Sequence, residues 1–201
     1  MVKDTLDSIF HSATIFYTDG SARPNPGACG AGATMELPKS PPLSFDNLDF
    51  HAALGHGTNN LGEVWAIGMA IQALQYSISN RLIATSSAHI FTDSEFAMGA
   101  LTNSTKINKL NPNNYASIVA IKKLIRTFPQ HFISFHWVPG HADIEGNERA
   151  DALAELGSTL SANGSGLTNL LKRATQGYFL PDDALLKLHQ IPPPPWPGDN
   201  S

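Results

Sequence analysis

One cysteine, Cys29, is all that 201 residues contain, so an internal disulfide framework and a Cys-rich zinc module are both excluded. A lone thiol suits a reducing compartment, and an intracellular setting is expected. The sequence also lacks any run approaching about eighteen uninterrupted apolar residues, the length a bilayer-spanning helix requires. Residues 1–11 lack the basic start, apolar centre and small-residue cleavage site of a secretory signal, so neither membrane insertion nor classical export is expected. His11, His51, His56, His89, His131, His136, His141 and His189 form no i,i+4 pair and have no Cys-x-x-Cys partner, which argues against structural zinc. Charge is sparse: 15% of residues are ionised and the net charge is −4, a balance unsuited to gripping nucleic acid by bulk positive charge. A nucleic-acid ligand would have to be recognised at a local site.

What is present is a chain of ordinary domain size with 42% hydrophobic residues, enough for one globular core. Ala13–Thr18 is rich in β-formers and runs into Asp19-Gly20, a strand followed by a turn. The turn-rich segment Ser21–Gly32 leads into a second strand over Gly30–Leu37, where small residues allow close backbone approach. Pro38–Asn47 reads as a loop and Asp49–Gly57 as a third, weakly patterned strand.

From Asn60 the period changes, and Val64, Ile67, Ile71 and Leu74 mark a helix with one broad apolar face. His89–Thr92 is a short apolar strand, followed by a helix over Ser94–Leu101 and another over Tyr115–Phe128. His131–Val138 alternates as a strand does, and a helix opens near Asn147 and runs through Leu156 to stop at Gly157. This order indicates an α/β fold, a mixed sheet covered by helices. After Ser158 the run SANGSG reads as a linker, Leu167–His189 as one or two short amphipathic helices, and the closing IPPPPWPGDNS as an extended polyproline tail outside the core. The expected organisation is an extension over 1–12, a domain over 13–158, and a linker and partly disordered tail over 159–201.

Four acids stand at element boundaries: Asp19 after the first strand, Glu63 in the first helix, Asp93 after the fourth strand and Asp151 in the last major helix. Singly, each has a plain explanation. Asp19 suits an Asp-Gly turn, Glu63 a capping box with Asn60, Asp93 a helix cap, and Asp151 a helix dipole. Together they suggest something else, because strand ends and helix starts of an open α/β sheet meet at one edge, where ligands bind. Four carboxylates crowded there would raise one another's pKa unless cations neutralised them. Hard oxygen ligands favour magnesium, or manganese, over zinc. A pair of such ions roughly 3.5–4 Å apart can activate a water and stabilise the leaving oxygen of a phosphodiester.

Tyr17-Thr18-Asp19-Gly20-Ser21, Thr58-Asn59-Asn60-Leu61-Gly62-Glu63, Phe91-Thr92-Asp93-Ser94, Trp137-Val138-Pro139-Gly140-His141 and Asn147-Glu148-Arg149-Ala150-Asp151 resemble, in order and approximate spacing, type I ribonuclease H. The likeness spans about residues 13–158. It implies a ribonuclease H-like fold, a five-stranded mixed sheet flanked by helices with the second strand antiparallel to its neighbours. It further implies endonucleolytic cleavage of the RNA strand of an RNA-DNA hybrid by two metal ions, leaving a 5′-phosphate and a 3′-hydroxyl.

By the same resemblance, Asp19, Glu63, Asp93 and Asp151 match the metal-binding acids, and His141, on a mobile loop, the histidine that assists proton movement or product departure. Asn25, Asn59 and Asn60 match polar contacts to minor-groove sugars and bases; an amide can read the ribose 2′-hydroxyl, which both donates and accepts. Thr58 matches a position near the DNA phosphate, and Gly20 one where the main chain approaches substrate. Plainer readings stand beside these: Asn59 and Asn60 as a helix cap, Asn25 as a turn residue, His141 as an exposed loop histidine.

The sequence departs from the family at the basic, tryptophan-containing protrusion of many cellular members. Thr102–Asn114 offers only Lys106 and Lys109. Lys122, Lys123 and Arg126 read either as a substitute basic stripe or as a solvated helix face. The Leu61-Gly62 pair is unusual beside the larger residues often found there. The run Pro139–Glu148 is similar to retroelement ribonuclease H domains, so a noncatalytic nucleic-acid-binding domain of retroelement origin is the alternative reading. Among partners, an RNA-DNA hybrid is expected, a membrane is not, a protein partner or a larger polyprotein is left open, and the chain is expected to be a monomer.

Overall fold

In the computed structural model, residues 13–36, 47–102 and 112–191 are described. The extension over 1–12, most of the loop after residue 37, Lys106 and Lys109, and the polyproline tail lie outside the described residues. Five strands, β1 (Ala13–Arg23), β2 (Gly27–Glu36), β3 (Asn47–Gly57), β4 (Ser87–Thr92) and β5 (Ile133–Trp137), form one sheet in the order β3-β2-β1-β4-β5. β2 runs antiparallel to both β1 and β3, whereas β1, β4 and β5 are mutually parallel. The mixed α/β sheet and its antiparallel second strand are as expected.

The strands are longer than their apolar runs. Asp19 does not end β1, which pairs with β2 as far as Arg23↔Ala28. What ends beside Asp19 is the pairing with β4, whose last rung is Thr18↔Thr92. A crevice opens there between two parallel strands, the place where this class of sheet binds ligands.

Helix α1 (Asn59–Ser79) crosses one face of the sheet, with α2 (Glu95–Thr102) and α3 (Pro112–Ile125) beside it. A single apolar face was expected of α1, but fourteen of its residues are buried, so neither side of the helix reaches solvent freely. The reason lies late in the chain, in α5 (Leu170–Thr175), α6 (Ala184–Leu188) and the turn between them. Phe179 is fully buried against Gly68 and accepts, through its carbonyl, the indole N–H of Trp65 at 2.9 Å. The Gln72 side-chain oxygen accepts the backbone N–H groups of both Phe179 and Leu180.

Helix α4 (Glu145–Ala162) covers β1, β2 and β3 on the other face. It does not stop at Gly157 but continues to Ala162, into residues whose composition reads as a linker. Gly157 serves closeness instead: a Cβ there would stand 2.4 Å from the Ala52 carbonyl oxygen. Arg149 of α4 clasps Asp49 of β3 through both carboxylate oxygens, at 2.7–3.0 Å.

Candidate active site

Three glycine contacts bring the first two acids together. Gly20 of β1 and Gly62 of α1 meet backbone to backbone, and a Cβ on Gly20 would lie 2.1 Å from the Glu63 nitrogen. A Cβ on Gly62 would lie 2.4 Å from the Gly30 carbonyl oxygen. The Leu61-Gly62 pair is thus explained: only a residue without a side chain lets α1 enter the sheet at this depth. The helix is started by Thr58, not Asn60, whose hydroxyl accepts the Leu61 N–H at 3.3 Å. That frees Glu63 from the capping box and turns it towards Asp19.

Asp93 follows the last rung of β4, in the turn that Ser94 closes by capping α2, its hydroxyl accepting the Ala97 N–H at 3.1 Å. Carboxylate oxygens of Asp19, Glu63 and Asp93 all lie within 4.8 Å of one another. Asp19 and Glu63 are buried and Asp93 partly so. Burial, then the charge of Asp93, pushes the Asp19 carboxyl up to about 7, although hydrogen bonds from Glu63 and the Gly20 N–H oppose the rise. Burial and the adjoining Asp19 raise Glu63 as well. Within the described residues, Glu63 Oε2 is buried with no hydrogen-bond partner.

Asp151, on α4, lines the same cleft together with Asp19, Gly20, Ser21, Arg23, Asn59, Glu63, Asp93 and His141. His141 is exposed, and its Nδ1 stands 4.0 Å from Asp151 Oδ2. Glu148 joins these two within 4.8 Å, making a second group of potential ligands at the mouth of the cleft. In the sequence Glu148 stood only as a letter of the Asn147–Asp151 motif. Its place three residues before Asp151, on the same helical face, was the signal available.

Asn25, in the β1-β2 turn, accepts the Asn59 N–H through its side-chain oxygen at 3.3 Å, so these two amide residues are neighbours. Asn59 and Asn60 are exposed on the first turn of α1. Thr58 faces a separate hollow lined by Pro26, His56, Gly57, Leu61, Pro112 and Asn113. The Gly20 Cα is turned to α1, so the glycine acts on helix placement first. Lys122 and Lys123 sit in the last turn of α3, about 15 Å along the helix from its start beside that hollow.

Two features escaped sequence reasoning. Gly140 packs so closely on Asp93 that a Cβ would fall 2.5 Å from Oδ2, and the Trp137 indole N–H donates to the Asp93 carbonyl at 3.1 Å.

Comparison with known proteins was consistent with this geometry. The family model described as RNase H matches residues 11–159. Ribonuclease H of Polynucleobacter asymbioticus is 33% identical over 153 residues, covering 73% of this chain and 90% of its own. Ribonuclease H of Caulobacter sp. is 34% identical over 161 residues, covering 76% and 95%. Among solved structures, LC11-RNase H1 in complex with an RNA/DNA hybrid superposes with a TM-score of 0.54 at 24% identity, covering 74% of this chain and 99% of that one.

Proposed function

Because the chain belongs to the ribonuclease H family, we propose that it is an endoribonuclease hydrolysing the RNA strand of RNA-DNA hybrids at the cleft of Asp19, Glu63, Asp93 and Asp151. One observation carries the assignment of the site: three carboxylates held within 4.8 Å, one of whose buried oxygens has no partner among the described residues. An isolated buried carboxylate oxygen is costly, and two divalent cations would satisfy it and offset the mutual repulsion. The donor set is all oxygen on the buried side, which suits magnesium, with manganese the ion of next best fit. When bound, such ions supply activation of water and stabilisation of the departing 3′-oxygen.

The remaining work falls to the chain itself. Asp19, Glu63 and Asp93 would hold the cations, with Asp151 contributed from α4. His141, beside Asp151 and largely exposed, is placed to carry a proton to or from bulk water as product leaves. Asn59, which lines the cleft, with its neighbours Asn25 and Asn60, would read ribose 2′-hydroxyls, the groups that distinguish RNA from DNA. Thr58 and its hollow would receive a phosphate of the DNA strand, and Gly20 brings the main chain near the scissile bond. Residues 13–158 form the proposed catalytic unit, acting as a monomer in an intracellular setting. No described helix is long and apolar enough to cross a membrane.

The test is cleavage of an end-labelled RNA-DNA hybrid with magnesium, manganese or chelator, with Asp93→Asn in parallel. Metal-dependent cutting of the RNA strand alone, abolished in a folded variant, is the expected result. Near-native turnover by Asp93→Asn would overturn the site, and cutting of double-stranded DNA would overturn the substrate.

A further inference from the structure

Asp93 is the acid least supported by its own element. It lies between the last rung of β4 and the cap of α2, so its carbonyl belongs to neither the strand ladder nor the helix. The carbonyl four residues before the first helical donor is that of Ser94, which accepts the Met98 N–H at 3.1 Å. The Asp93 carbonyl is taken instead by the Trp137 indole N–H, 44 residues later in the chain, at 3.1 Å. Next along, the Val138 N–H donates to the Thr92 carbonyl at 3.0 Å, extending the β4-β5 pairing up to the acid. Gly140 then closes over the carboxylate, with room for a hydrogen but not a methyl group against Oδ2. Three successive contacts from the end of β5 therefore bear on this acid: one on its carbonyl, one on the carbonyl of Thr92 just before it, and one on its side chain.

Burial does not account for Trp137. The residue is 51% exposed, unusual for an indole whose N–H is fixed within a fold. We infer that Trp137 is a positioning residue: its indole N–H, acting with the Gly140 backbone, holds Asp93 in the geometry that accepts a divalent cation. The inference rests on the reading of Asp93 as a metal-holding acid. It also ties that acid to the His141 loop, because the residues that locate Asp93 lead directly into it. Groups that orient a metal ligand from behind typically change metal affinity or activity by about 10- to 100-fold when lost.

Trp137→Phe keeps an aromatic ring and removes the donor. The experiment measures three things on wild type and variant: manganese binding by calorimetry without nucleic acid, kcat and KM on an RNA-DNA hybrid, and the thermal midpoint in chelator. The expected result is manganese affinity and kcat each lowered about tenfold, KM for the hybrid within twofold of wild type, and a nearly unchanged midpoint. Unchanged manganese affinity and kcat would overturn the inference. So would a raised KM with unchanged kcat, which would make Trp137 a substrate contact.

Gly140→Ala provides the second arm, pressing on Asp93 Oδ2 with Trp137 intact. It should also weaken manganese binding, and wild-type affinity in that variant would overturn the inference even if Trp137→Phe failed to fold. A wild type that binds manganese but cuts no hybrid would defeat the proposed activity. The calorimetric comparison would still decide the role of Trp137.

Discussion

At the scale of single residues, the acidic cleft is a place where function opposes stability. Asp19, with its carboxyl pushed up to about 7 by burial and by Asp93, binds a proton in the folded state at pH values where the unfolded chain has released it. Folding stability in chelator should therefore fall as pH rises from about 4 through about 7. Asp19→Asn, which keeps an oxygen to accept the Gly20 N–H, should abolish cleavage yet raise the thermal midpoint in chelator at pH 8 by about 2–4 °C. That gain should shrink towards pH 5, and a lower midpoint at pH 8 would contradict the account. The four acids were legible in the sequence because each borders an apolar run and sits in a short motif. Trp137 and Gly140 were visible as letters of a motif without a task, since a contact to a carbonyl 44 residues away leaves no periodic trace.

At the scale of elements, the depth at which α1 enters the sheet rests on glycines that propensity alone would count as faults. Gly62→Ala adds the residue a helix prefers, worth about 1 kcal/mol in an open position. Here its Cβ would strike the Gly30 carbonyl and the Gly20 Cα, so a net loss of about 1–3 kcal/mol is expected in urea unfolding. Gly99→Ala on α2 is the control: nothing lies within 4 Å of its added Cβ, and a gain of up to about 1 kcal/mol is expected. Equal effects at the two sites would refute the packing argument.

A second element contact joins α4 to β3. Asp49 is partly buried, which alone would raise its carboxyl, but the hydrogen bonds of Arg149 and Thr34 hold it below its ordinary value. Its contribution is present above about pH 4 and lost as pH falls through the lowered value. Arg149→Met should cost about 1 kcal/mol at pH 7, with the gap from wild type closing in acid. The sequence showed the order of the elements well, but their ends poorly, because strands such as β1 are extended by pairing with neighbours that the local pattern cannot reveal. For the same reason α4 overran Gly157, which reads as a stop signal until the Ala52 carbonyl is found against it.

At the scale of the whole molecule, the match of the family model ends at residue 159, while the hydrophobic core does not. Ala174, Phe179, Leu180, Ala184, Leu188 and Ile191 belong to it, and Gly68 and Gln72 on α1 are shaped to receive the turn that carries Phe179. Phe179→Ala should cost about 3–5 kcal/mol, the range for emptying a fully buried aromatic site. A loss under about 1 kcal/mol would show the late segment to be an accessory. The sequence showed one or two short amphipathic helices here, formed at Leu170–Thr175 and Ala184–Leu188, but not the surface they cover, because helices after a Gly-Ser run look like a tail until their partner is known. The late position of that segment also matters during synthesis. A ribosome adding about 5–20 residues each second needs roughly 2–6 s to pass from residue 159 to residue 191. For that interval the nascent chain contains all of the matched domain while Trp65 and its neighbours on α1 still await the residues that will cover them.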